Sequence, residues 1–107
     1  MAAQFVFILQ RVHDRAKLET YWARAGATFA GHSVKLLAGY SPVEVIEGQG
    51  PVLATVIAEF PDRDAALAWY HSPAYTEVRR YRLEGADCLA ILIDGSRRVP
   101  VEERGVG

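Results

Sequence analysis

The feature that most constrains this chain is that its strand-like segments are apolar on both of their alternating faces. Successive side chains of a strand point to opposite sides of the sheet, so a half-exposed strand alternates apolar and polar residues. The segments 4–10, 52–60 and 87–93 are instead largely apolar throughout. In the first and last of them the two faces carry Phe5, Phe7 and Leu9 against Val6 and Ile8, and Leu89, Ile91 and Ile93 against Cys88, Ala90 and Leu92. These segments predict a sheet that is covered on both faces.

The stretches between these segments predict helices. Asp14 is a favoured N-cap for an amphipathic helix whose apolar residues recur at spacings of three and four and which ends near Gly31. A short helix follows over 61–70. Ser72, which precedes a proline, is a good cap for a further helix running to about Gly85, because proline is tolerated at the first helical position.

The middle of the chain predicts a strand hairpin. Residues 34–47 are interpreted as one long strand, kinked near Gly39 and Pro42, where glycine marks bulges and proline cannot donate to a ladder. A turn at 48–51 leads into the third strand, 52–60. The resulting order, β-α-β-β-α-β, is that of the ferredoxin-like α+β fold, with a four-stranded antiparallel sheet and helices on one face.

Helices on one face leave the other apolar face of the sheet uncovered. A second copy of the chain, packed sheet against sheet, is the economical cover. The pattern therefore predicts an obligate homodimer, a dimeric α/β barrel.

Length, charge and cysteine content narrow the class of protein. The chain has 107 residues and a net charge of −1, so a single domain over 1–95 with a polar C-terminal tail over 96–107 is expected, and nucleic acid is not an expected partner. The apolar run at the N-terminus is too short for a signal core or a membrane span, which favours a cytoplasmic protein without a membrane partner. The single Cys88 lies in an apolar run and is interpreted as a buried, inert thiol.

Several short motifs resemble the domain-of-unknown-function 1330 family. They are Glu59-Phe60-Pro61, Ala65-Ala66, Trp69-Tyr70-His71-Ser72-Pro73-Ala74-Tyr75, Arg82, Ala86 and Asp94-Gly95, with Tyr21, Gly31, Gly39 and Val45-Ile46-Glu47-Gly48 earlier in the chain. The similarity covers about residues 4–95 and implies the same ferredoxin-like, dimeric α/β-barrel fold. The family implies no reaction. Related barrels include cofactor-free monooxygenases, isomerases and cyclases that bind planar hydrophobic substrates between sheet and helices, a likeness at the level of fold.

Arg82 is the principal candidate for a functional residue. Its position four residues after Val78 places it on the face of the last helix that turns towards the sheet. One interpretation is a clamp for a carboxylate or enolate, because guanidinium binds such groups with two parallel hydrogen bonds. The other is structural: an ion pair with Glu47, Glu59 or another carboxylate, or a side chain that reaches the surface.

Aromatic residues and one histidine complete the candidate site. Trp69, Tyr70 and Tyr75, together with Tyr21 and Trp22 from the first helix, could line an apolar pocket or could simply be core packing. His32, just before the second strand, could act as a base at the pocket mouth or be an ordinary loop residue. The three histidines lack metal-ligand spacing, and neither a metal nor a cofactor is expected.

Two functions remain open on these grounds. One is a small dimer that binds a small organic molecule, anionic or aromatic, between sheet and helices and that could perform cofactor-independent chemistry on it. In that case Arg82 would hold the anionic part, and Tyr70, Tyr75 or His32 would move the proton. The alternative is a non-catalytic structural or sensing dimer with a fully packed core.

Overall fold

The apolar segments form one antiparallel sheet in the computed structural model, which describes residues 2–95. Its strands are β1 (Ala3–Val12), β2 (Lys35–Ser41), β3 (Ala54–Phe60) and β4 (Ala86–Asp94). β1 pairs with both β3 and β4, and β2 pairs with β3, so the spatial order is β2-β3-β1-β4. This order, with all pairs antiparallel, confirms the predicted ferredoxin-like α+β fold. The predicted polar tail, 96–107, lies outside the described residues.

Side-chain caps start each of the three helices that the structure describes, and the caps of the first and last were predicted from the sequence. The helices are α1 (Arg15–Ala25), α2 (Arg63–Tyr70) and α3 (Pro73–Gly85), and a 3-10 turn, Gly26–Phe29, follows the first. Asp14, Asp62 and Ser72 each accept a hydrogen bond from the backbone N–H three residues ahead. These bonds satisfy N–H groups that the first helical turn leaves without a partner. None of the helices within 2–95 is long and apolar enough to cross a membrane.

The first helix ends earlier than its apolar spacing predicts. Regular α-helix stops at Ala25 rather than near Gly31, and the chain tightens into the 3-10 turn. The hydroxyl of Thr28 donates to the Ala25 carbonyl at 2.6 Å and accepts a hydrogen bond from Nε1 of Trp69 at 3.0 Å. The turn thus satisfies the helix end and ties it to α2.

The prediction of one long strand over 34–47 is wrong. β2 stops at Ser41, and β3 begins at Ala54 rather than at residue 52, so the connection 42–53 is far longer than a tight turn. Pro42 has no N–H to give to a ladder, and it ends the strand where a kink was expected. The apolar residues beyond it are exposed, with Ile46 at 82%.

The core lies between the helices and one face of the sheet. Trp69, Tyr75, Phe60 and Leu18 are its largest fully buried side chains, and Phe5 and Phe7 face them from β1. The opposite face of the sheet has no cover among residues 2–95, where Leu89, Ile91 and Ile93 of β4 are 38–47% exposed. The two apolar faces predicted from the sequence are therefore present, with the helices on one of them.

Candidate functional site

A cavity of about 150 Å³ lies between the sheet and the helices. Its wall is mostly apolar and aromatic and includes side chains of all four strands, of all three helices and of the 3-10 turn. The residues that line it are Phe7, Leu9, Leu18, Tyr21, Trp22, Ala25, Gly26, Phe29, Leu36, Gly39, Tyr40, Ala54, Val56, Trp69, Arg82 and Cys88. Arg82 is the only charged residue among these. The core of this protein is therefore not fully packed.

Arg82 is buried beside this cavity without a carboxylate partner. It is 4% exposed, and no carboxylate of residues 2–95 lies within ion-pair distance of it. Its guanidinium carbon stands 5.2 Å from the ring centre of Phe7 and 5.9 Å from that of Tyr21, so two aromatic faces support the cation. Nε has no hydrogen-bond partner in the described part of the chain. The structural interpretation of Arg82 as half of a buried ion pair with Glu47 or Glu59 is thus not what the structure contains.

The charge of Arg82 persists despite its burial. Burial alone lowers the pKa of the guanidinium, but the oxygens of Tyr75 and Tyr21 outweigh that effect, and its pKa lies above the ordinary value. Arginine is in any case effectively always protonated in proteins. The cavity therefore presents a permanent positive charge.

Two tyrosine hydroxyls form a buried pair next to the cation. Tyr21 and Tyr75 approach to 2.8 Å between their hydroxyl oxygens, and burial raises the pKa of both phenols. Tyr21 lines the cavity, whereas Tyr75 lies behind it against the ring of Trp69, at 4.1 Å between centres. Both phenols are consequently neutral at physiological pH.

A break in the register of β2 turns Tyr40 towards the cavity. The pairing of β2 with β3 shifts between Gly39 and Ser41, so Tyr40 is an extra residue in the strand. Its φ is 54°, in the left-handed region, which costs about 1–2 kcal/mol for a residue with a side chain. In a regular strand Tyr40 would point to the side opposite Gly39, away from the helices. The bulge instead brings its ring to 5.4 Å from that of Trp22.

Trp22 and Tyr40 stand between the cavity and a second, more open depression. The depression has a volume of about 470 Å³ and shares Trp22, Tyr40, Leu9 and Ala54 with the cavity. Arg15 lies at its edge, 5.6 Å above the Trp22 ring. Burial raises the pKa of Tyr40 to about 12, and the nearby indole N–H of Trp22 offsets part of that rise without completing a hydrogen bond. The rings of Trp22 and Tyr40 therefore belong to the walls of both the cavity and the depression.

The residues singled out in the sequence separate into two groups. Arg82, Tyr21 and Trp69 line the cavity, although Trp69 is 1% exposed and its N–H is occupied by Thr28. Tyr75 reaches the cavity only through its bond to Tyr21.

The other two candidates lie elsewhere. Tyr70 stacks on Phe5 at 5.2 Å between centres and carries Arg79 on its other side at 4.5 Å, so it belongs to the packing of α2. His32 lies in the bend after the 3-10 turn, where its N–H donates to the carbonyl of Phe29. Neither ring lines the cavity.

Cys88 also differs from the prediction of a buried thiol. It is half-buried rather than buried and forms part of the cavity wall. Burial raises the pKa of its thiol, which keeps it protonated and weakly nucleophilic. Within residues 2–95 no three His, Cys, Asp or Glu side chains cluster in a way that could hold a metal ion.

Comparison with solved structures extends the agreement in fold. A protein of unknown function from Rhodopseudomonas palustris is 17% identical, with 91% of this chain and 84% of that chain covered and a TM-score of 0.68. SnoaB, a cofactor-independent oxygenase from Streptomyces nogalater, is 17% identical over 92% of this chain and 97% of that chain, with a TM-score of 0.59. A dimeric ferredoxin-like protein of unknown function from Thermobifida fusca is 12% identical over 88% and 91%, with a TM-score of 0.60. At such identities the likeness shows the fold alone.

A search of curated proteins finds no match. The family model for the domain of unknown function DUF1330 matches residues 3–96, nearly the whole chain and almost the span over which the motifs resemble it. The motif around Trp69 and Arg82, which carried that resemblance, supplies part of the cavity wall. The protein therefore belongs to the DUF1330 family.

Proposed function

We propose that this protein binds a small organic anion in the cavity and that Arg82 is the charged anchor of the site. The single observation that carries the proposal is a buried guanidinium, 4% exposed, that borders a cavity and has no carboxylate of residues 2–95 beside it. The neutral tyrosines and aromatic faces around this cation carry no negative charge, and a ligand carboxylate or enolate would supply one. The planar fork of arginine suits such groups.

The size and lining of the cavity limit the ligand. A space of about 150 Å³ corresponds to a benzene-sized molecule. Phe7, Trp22 and Phe29 offer flat apolar surfaces around it. The proposed ligand class is therefore a monocyclic or short-chain carboxylic acid, or an enolate of similar size.

We further propose a homodimer formed by sheet-to-sheet packing. The uncovered face of the sheet carries Leu89, Ile91 and Ile93, and Val6 and Ile8 of β1 belong to the same face. Contiguous apolar surface of this kind is typical of a protein interface, and a second copy offers a complementary face. The Thermobifida fusca protein that shares the fold is described as dimeric, which supports the same assembly here.

Cofactor-independent chemistry on the bound ligand is a second candidate function. The fold is shared with SnoaB, and a fixed cation in a largely apolar site is suited to stabilising negative charge that develops on an oxygen. Of the residues considered for proton transfer, His32 and Tyr70 lie away from the cavity, so the Tyr21–Tyr75 pair is the remaining choice. The alternative of a non-catalytic module with a fully packed core is less consistent with the cavity.

Binding of benzoate and of uncharged benzyl alcohol, measured by calorimetry, tests the proposal. The wild-type protein is expected to bind benzoate more tightly, and Arg82→Met is expected to lose benzoate while retaining benzyl alcohol. Arg79→Met is the matched control, because it removes a half-buried arginine from the same helix that stacks on Tyr70 away from the cavity. Circular dichroism verifies that each variant is folded. Equal benzoate affinity in wild type and Arg82→Met would refute the anchor, as would absence of benzoate binding in the wild type.

A further inference from the structure

We infer that the ligand of this cavity carries a second polar group, a hydrogen-bond acceptor that Trp22 recognises through its indole N–H. The inference rests on the proposed function, since it concerns the same cavity. It deepens that function by defining the ligand class: a small acid that also bears a hydroxyl, methoxy or carbonyl oxygen.

Two residues that line one cavity each carry an unpaired donor. Among residues 2–95, the buried side-chain nitrogen and oxygen atoms without a hydrogen-bond partner are Nε1 of Trp22 and Nε of Arg82. Buried polar groups in proteins are nearly always paired, so each exception calls for an explanation. Both exceptions belong to residues that line the same cavity, which is the arrangement expected of a site built for a ligand with acceptors.

The two donors belong to different walls of the cavity. Arg82 extends from α3 and lies over Phe7 of β1, whereas Trp22 extends from α1 and meets Tyr40 of β2. Two polar groups on one small molecule can satisfy two donors that separate elements hold. The acid therefore faces Arg82 and the second acceptor faces Trp22.

The chemistry of Trp22 defines the second group. An indole N–H is a donor only, so the ligand atom that it binds must accept a hydrogen bond. The hydroxyl of Tyr40 lies next to it and stays protonated, because the pKa of that phenol is raised to about 12. Tyr40 can thus both donate and accept beside the same ligand oxygen. The bulge turns Tyr40 towards the helices and so places a hydroxyl group on the same wall as Trp22.

Pairs of substituted benzoates isolate the second contact. Hydroxybenzoate and methylbenzoate with the substituent at the same ring position have nearly the same shape, and only the hydroxyl can accept a hydrogen bond. The wild-type protein is expected to prefer the hydroxyl over the methyl group by roughly three- to tenfold at one of the three ring positions, the range of a net hydrogen bond. In Trp22→Phe the ratio is expected to fall at least about twofold, with any remaining preference supplied by the Tyr40 hydroxyl and with benzoate affinity changed by roughly twofold at most. Tyr40→Phe is the companion variant and is expected to keep a preference for the hydroxyl.

The two tryptophans of the chain allow a test without a variant. In ¹⁵N-edited NMR spectra, the indole N–H signal of Trp22 is expected to move downfield with the preferred hydroxybenzoate and not with its methyl counterpart. The signal of Trp69, whose N–H is already bonded to Thr28, is the internal control. An unchanged hydroxyl-to-methyl ratio in Trp22→Phe, or benzoate binding without preference at any ring position, would overturn the inference and leave the anchor at Arg82 intact. If no acid binds the wild-type protein, the proposed function fails and the inference falls with it.

Discussion

Replacing Arg82 by methionine should make the ligand-free protein more stable while removing its affinity for anions. Methionine keeps an unbranched side chain of similar reach and takes away the buried charge and the unpaired Nε–H. An unsatisfied buried donor costs about 1–3 kcal/mol, and burial of the charge adds to that cost. The two lost contacts with Phe7 and Tyr21 lie near the outer limit of cation–π distance and are worth about 1 kcal/mol each. The net expectation is a gain of about 1 kcal/mol in the free energy of unfolding, or roughly 5 °C in Tm.

Urea unfolding at one fixed protein concentration measures this difference, since a dimer's stability depends on concentration. Arg79→Met is again the control and should lower stability by about 0.5–1 kcal/mol, because it removes one cation–π contact with Tyr70 and no unpaired buried donor. A stabilised Arg82→Met that no longer binds benzoate would mean that the arginine is kept for its ligand at the expense of stability. A decrease of more than about 2 kcal/mol in the free energy of unfolding would refute the reasoning, because it would show that Arg82 stabilises the core.

Three further predictions concern the frame around the site. Gly85→Ala should destabilise the fold by about 1–3 kcal/mol, because an added Cβ would lie 2.9 Å from the backbone nitrogen of Leu18; wild-type stability in urea would contradict that close approach. Ile91→Glu should convert the proposed dimer to monomer in sedimentation velocity, because it places a charge on the uncovered sheet face; an unchanged dimer would exclude this face as the interface. The raised pKa of the Tyr21 and Tyr75 phenols predicts stability that is complete below pH 10 and declines above it, because the unfolded chain then loses protons that the folded chain keeps. Tyr21→Phe should flatten that alkaline decline in unfolding measurements between pH 8 and 11, and an equally steep decline would show that other groups cause it.

Features that depend on neighbouring residues were predictable from the sequence. Asp14 and Ser72 cap helices through bonds that span three residues, and the structure contains both bonds. The position of Arg82 on the inner face of α3 followed from helical spacing alone. The sequence also predicted the order of strands and helices, because each element has its own periodicity.

Features that depend on distant partners were not predictable in this way. Residues beyond Pro42 have strand-like composition, yet no neighbouring strand extends far enough to pair with them, and composition cannot reveal that. Tyr40 was not singled out as a cavity residue, because the two register shifts that set the direction of its side chain depend on pairing with β3. The preceding Gly39 was the available signal, since glycine within a strand often marks a bulge. Trp69, in contrast, belongs to the motif that the sequence made conspicuous, yet its main role is packing.

The bulge at Tyr40 also limits how copies of this chain can associate. β2 is an edge strand, and a ribbon of many copies would require its free edge to pair with the β4 edge of the next copy, again and again. A left-handed residue and two register shifts within seven residues disrupt the row of N–H and C=O groups that such pairing needs. With the β2 edge blocked, the sheet can pair with one further copy through its β4 edge, but the pairing cannot continue from copy to copy. The same distortion that shapes the cavity wall therefore disfavours growth of the sheet by edge-to-edge pairing of many copies.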